Sequence, residues 1–90
     1  GVDVLATNIR GEYELIQCKR YRQGNNIGST PIQRVHSYMR TRNASRAWVI
    51  TTSDFTPEGR DEARITNVTI MNGHDLLQSL EIYYPGRFCL

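Results

Sequence analysis

The chain opens in short extended runs. Val2 to Thr7 and Tyr13 to Lys19 are apolar-rich stretches on either side of Arg10-Gly11, and their short separation predicts an antiparallel hairpin. Polar residues take over at Gln23, and Gly24-Asn25-Asn26-Ile27-Gly28-Ser29 reads as a loop of residues that tolerate unusual backbone angles. Thr30 is placed as an N-cap and Pro31 at the first helical position, where its missing N–H costs nothing. The helix that follows, roughly 31–42, sets Ile32, Val35 and Met39 on one stripe, with Asn43 as its stop. Ala47 to Thr52 is a continuous run rich in β-branched residues, the pattern of a strand covered on both faces.

The second half repeats the grammar. Phe55-Thr56-Pro57-Glu58 is another helix start with an acid in the first turn, and that helix runs to about Ile65, weakened by Gly59. Val68 to Met71 reads as a short buried strand, Asn72-Gly73 as a turn, and His74 to about Ile82 as a helix packing Leu76, Leu77 and Leu80. The tail from Tyr83 to Leu90 is expected to be extended or loop. The order ββαβαβα, without repeats, predicts one α/β domain over residues 1–90 with a mixed sheet flanked by helices.

Composition narrows the class. Ninety residues support one core, and no apolar run approaches the roughly 18–20 residues of a membrane span. Beginning at Gly1, almost directly in a strand pattern, the chain reads as an excised domain or fragment. Net charge is only +2, yet Lys19, Arg20, Arg22, Arg34, Arg40, Arg42 and Arg46 occur with no acid between positions 19 and 46. A basic first half suits a polyanion; a solvated basic face is the alternative. Cys18 and Cys89 lack CxxC or zinc spacing, so Cys18 is expected to be a small buried strand residue in a reducing, cytoplasmic compartment.

The candidate chemistry sits on the hairpin. Asp3, Gln17 and Lys19 supply a carboxylate, a side-chain carbonyl and an ammonium, a set able to hold a hard cation beside a phosphodiester. Gln17 and Lys19 are two residues apart and share one face of their strand. A three-residue loop Ile9-Arg10-Gly11, with Gly11 at a left-handed position, sets Asp3 opposite Gln17. A two-residue Arg10-Gly11 loop would oppose Asp3 to Cys18 and split the group across both faces. As ordinary residues, Asp3 is a surface strand acid, Gln17 an edge-strand polar residue and Lys19 a solvated strand end.

Gly1-Val2-Asp3-Val4-Leu5-Ala6 followed by Ile16-Gln17-Cys18-Lys19-Arg20-Tyr21 resembles the Mrr-like branch of the PD-(D/E)xK nucleases. Ile27-Gly28, Pro31-Ile32-Gln33, Val49 to Thr56 and Ile70 to Leu76 resemble that family's later segments, in order along nearly the whole chain. The resemblance implies a restriction-endonuclease-like core and a DNA endonuclease of restriction or DNA-defence type using Mg²⁺, with Mn²⁺ as a substitute. It implies Asp3 as main metal ligand, Gln17 where many relatives have Glu, the Cys18 backbone carbonyl as a further ligand, and Lys19 acting on water or developing charge. Gln33 and Thr52 become site-adjacent, although a surface glutamine and a strand-end hydroxyl capping backbone are equal readings. Arg20, Tyr21, Arg22 and Arg34 become DNA contacts, with double-stranded DNA as partner. A homodimer or further domains of a longer chain are also implied. The family's N-terminal helix, its glutamate and its first strand would lie before Gly1. That departure keeps open a non-catalytic nuclease-fold DNA-binding module. An unrelated doubly wound α/β protein is disfavoured because no Gly-rich loop joins a strand to a helix.

Overall fold

The computed structural model describes residues 2–83, with backbone alone at 2, 3 and 83. Its elements are β1 (Val2–Thr7), β2 (Tyr13–Lys19), α1 (Ser29–Thr41), β3 (Arg46–Thr51), α2 (Pro57–Thr66), β4 (Thr69–Met71) and α3 (Gly73–Tyr83). The order ββαβαβα is the expected one. The strands form one sheet ordered β1-β2-β3-β4, in which β1 and β2 are antiparallel while β2, β3 and β4 run parallel. The sheet is therefore mixed. Parallel neighbours need a crossover, and α1 and α2 supply the two.

One face of the sheet is the core. Leu15 on β2 and Ala47, Val49 and Thr51 on β3 are buried together with Ile32 and Val35 of α1 and Ala63 of α2. The stripe expected on α1 is thus the packed one, with Met39 completing it at the edge of the cluster. The other face is only half covered. Ile16, Trp48 and Ile50 keep partial exposure, so β3 is not enclosed on both sides as its apolar run implied. Cys18 is likewise a half-buried free thiol, not a fully buried one. Cys89 and most of the tail lie outside the described residues.

Helix termini explain most boundary shifts. Thr30 is not the N-cap of α1: the helix starts at Ser29, and Gly28 caps it with extended backbone and no side-chain hydrogen bond. A tertiary bridge forces this early start. Ile27 N–H donates to the Asp54 carbonyl at 2.9 Å and Thr56 N–H to the Ile27 carbonyl at 2.9 Å, so the chain is aimed into the helix as soon as it leaves residue 27. Pro31 then falls in the first turn, where backbone N–H groups have no intrahelical partner anyway. Asn43 stops α1 as expected, in a left-handed conformation (φ 54°). Ala44 N–H reaches the Met39 carbonyl at 2.9 Å and Asn43 N–H the Arg40 carbonyl at 3.3 Å, the paired bonds of a Schellman ending.

At α2, Thr56 Oγ1 accepts from Gly59 N–H at 3.0 Å, with Pro57 at the first position. Asn72-Gly73 is not a free turn but the start of α3. Asn72 Oδ1 accepts from Asp75 N–H at 2.8 Å, and Asp75 Oδ2 accepts from Asn72 N–H at 3.3 Å. This reciprocal capping box satisfies two end groups at once. The N-x-x-D spacing was present in the sequence as its signal.

Candidate active site

The hairpin takes the three-residue loop. Asp3 pairs with Gln17 and Thr7 with Tyr13, while Gly11 sits at φ +79° with its N–H on the Asn8 carbonyl at 3.0 Å. Asn8 fixes this geometry from the side: its Oδ1 accepts from Arg10 N–H at 2.9 Å and Glu12 N–H at 3.0 Å. Because side chains alternate along a strand, this register puts positions 3, 17 and 19 on one side of the sheet. It is the side of Leu15 and the α1–α2 layer. Lys19 pairs there with buried Thr51, at the carboxyl ends of β2 and β3. Lys19 itself is half-buried, as is Gln17.

The remaining expected residues divide. Gln33 is tied to α2, its Nε2 donating to Glu62 Oε1 at 2.6 Å. Thr52 clamps the backbone of Tyr21, donating to its carbonyl at 2.9 Å and accepting from its N–H at 3.1 Å. The strand-end cap is therefore present, and Thr52 also lines the groove at this end of the sheet. The Tyr21 side chain packs against the buried cluster. Arg34 is exposed on α1, and His36 is half-buried there.

Arg20 and Arg22 line an open groove of about 930 Å³ at the carboxyl ends of the strands, together with Tyr21, Thr52, Asp54, Asn72 and the first residues of α3, including His74. Asp54 is its structural pin. Hydrogen bonds from Asn72 Nδ2 (3.1 Å) and Phe55 N–H (2.8 Å), with the Arg60 guanidinium beside it, hold its carboxyl below the ordinary aspartate value. Sequence reading passed over Asp54 because its partners are assembled only by the fold.

The opposite end of the sheet carries a separate network. Glu14 accepts from Trp48 Nε1 at 2.9 Å and Asn8 Nδ2 at 3.0 Å. These bonds, and Arg46 nearby, lower its carboxyl below the ordinary glutamate value. Arg46 stacks over the Trp48 ring at 4.7 Å. Trp48 is thus half-buried and engaged on the less covered face, not enclosed as the apolar run of β3 implied. Among the described residues no three His, Cys, Asp or Glu side chains are grouped to hold a metal.

A hairpin feeding a parallel crossover sheet, with an amide and a lysine position at the carboxyl end of β2 and an acid position on the same face at the start of antiparallel β1, is the layout of a restriction-endonuclease-like fold. The family model of the Mrr catalytic domain, described as restriction endonuclease, matches residues 1–80, and the chain belongs to that family. Among solved structures, the DNA modification-dependent restriction endonuclease AspBHI is similar, with a TM-score of 0.67 at 15% identity over 90% of this chain. The chain spans 22% of the length of that protein. No individually curated protein sequence matches.

Proposed function

We propose that this chain is the catalytic domain of a Mg²⁺-dependent DNA endonuclease of restriction type, acting on duplex DNA. The observation that carries the reading is the hairpin register, which pairs Asp3 with Gln17 and leaves Lys19 on the same face. The donor chemistry suits the ion: an aspartate, an amide carbonyl and the Cys18 backbone carbonyl are hard oxygen donors of the kind Mg²⁺ takes, and Mn²⁺ accepts the same set. Bound there, the ion supplies charge for the phosphate oxygens and acidity for a water. The chain's own part is to place that ion and to hold the Lys19 ammonium against the scissile phosphate, where it offsets charge developing in the transition state. Arg20, Tyr21, Arg22 and Arg34 contribute contacts that position the DNA, and target choice is left to other parts of a longer protein or to a partner copy.

Cleavage of supercoiled plasmid in Mg²⁺ or Mn²⁺ tests this. Lys19→Ala and Asp3→Ala should each lower the rate by about 100-fold or more, the scale of losing one electrostatic group at a reacting centre. Cutting that survives both changes overturns the assignment. A neutral Gln17 in place of an acid favours a second reading, a nuclease-fold module that binds DNA without cutting it. Duplex binding with no cleavage in either metal would select that one.

A further inference from the structure

The seven cations between residues 19 and 46 do not form one surface. Arg42 stacks on Tyr38 at 4.8 Å, and Arg46 stacks on Trp48 at 4.7 Å while its Nε donates to Thr69 at 3.3 Å. Farther along, Arg60 is occupied by Asp54 and Arg64 by Asp61. Lys19, Arg34 and Arg40 have no such partner among the described residues, and Arg20 and Arg22 differ from them by their place in the groove. Among the described residues neither guanidinium has a hydrogen-bond or ion-pair partner, and both line the groove between the end of β2 and the start of α3.

Their backbone is nonetheless held. Tyr21, between them, is clamped on both its N–H and its carbonyl by Thr52. The Arg22 carbonyl accepts from Asn25 N–H at 2.9 Å, closing a turn that contains left-handed Gly24 (φ +88°). Two uncommitted cations on a fixed support form a pre-organised anion site, because little backbone ordering remains for binding to impose. The acid in the groove does not oppose an anion: Asp54 is already neutralised by Arg60 and bonded by Asn72. The amino end of α3 adds His74, while the partial positive charge of that end is already offset by Asp75, whose carboxylate accepts from Asn72 N–H.

We propose that this groove is a phosphate subsite that tracks the DNA backbone flanking the scissile bond, through Arg20 and Arg22, without reading sequence. The proposal rests on the nuclease reading for its substrate. It assigns the DNA path to the carboxyl-end groove, away from the far end of the sheet. A guanidinium matches phosphate geometry, and contacts of this type orient a nucleic acid without choosing its sequence.

The test is fluorescence-anisotropy binding of two unrelated labelled duplexes across a salt series, in Ca²⁺ to prevent turnover. Each phosphate contact contributes about 0.9 to the slope of log K against log salt. The double variant Arg20→Ala/Arg22→Ala should therefore lower the slope by about 1.8 on both duplexes. Arg20→Lys/Arg22→Lys should restore most of it, which a folding defect would not allow. Arg10→Ala/Arg40→Ala removes the same charge from the hairpin tip and the far end of α1, and should leave the slope unchanged. An unchanged slope in the groove variant, or an equal drop in the distal one, overturns the proposal. Lys19→Ala separates the two readings: cutting should fail, while the slope should fall by at most the about 0.9 of one phosphate contact, leaving the share carried by Arg20 and Arg22. Groove-dependent binding without any cutting by wild type would retain the subsite and sink the enzyme.

Discussion

At the scale of single residues, Asp54 does more than its place in the sequence announces. Its carboxylate joins Asn72 at the start of α3, Phe55 at the approach to α2, and Arg60 within α2. A carboxyl whose folded value is depressed stabilises the fold above its unfolded value, about 3.9, and that stabilisation fades as pH falls through the folded value. Asp54→Asn should therefore cost about 1 kcal/mol at neutral pH, at the low end because the side chain is half exposed. Urea unfolding of both proteins at several pH values checks it: the gap should narrow below about pH 4. A gap that stays constant into acid would mean that shape, not charge, is what the aspartate supplies. The sorting of the arginines is a related lesson. Tyr38 and Arg42 are four apart on a helix, and Arg46 and Trp48 two apart on a strand, so both stacks were readable from spacing. The clamp of Thr52 on Tyr21 was not, because 31 residues separate the partners.

At the scale of elements, local chemistry decided what could be read. The hairpin register followed from Gly11 and the length of the Ile9-Arg10-Gly11 loop, both local, and the side-chain bonds of Asn8 show why the loop holds its shape. The start of α1 did not follow, since a bridge between Ile27 and Phe55 sets it. Gly59 shows the same division. By propensity alone it weakens α2, and Ala would gain about 1 kcal/mol there. In the fold, a Cβ at this position would stand 2.5 Å from the Ile27 carbonyl oxygen and 3.2 Å from that of Gly28. The obstacle is backbone, held by the bridge that also orients α1, so it cannot swing away. Gly59→Ala should thus destabilise by about 1–3 kcal/mol despite better propensity, as overpacking does. The sign of the shift in the urea midpoint decides which effect wins; a stabilised variant would show that α2 does not approach the bridge this closely.

At the scale of the whole molecule, the dimensions limit what one copy can do to a duplex. The described body measures 37 × 32 × 20 Å, comparable along its long axis to one turn of B-DNA at about 34–36 Å. It holds one set of Asp3, Gln17 and Lys19 positions, at one end of one sheet. The two strands of a duplex run in opposite directions, so a single site oriented on one scissile phosphate is wrongly oriented for the other. Under the nuclease reading, a lone domain should nick. Supercoiled plasmid should pass into open circles first, and linear product should appear later and in proportion to the square of protein concentration at low occupancy, because it needs a second copy. Gel quantification over a dilution series measures this. Linear product formed at the same rate as open circles, with first-order dependence on protein, would require both strands to be cut in one encounter, which a lone domain with one site cannot do. The single-site geometry would then have to give way to a preassembled pair.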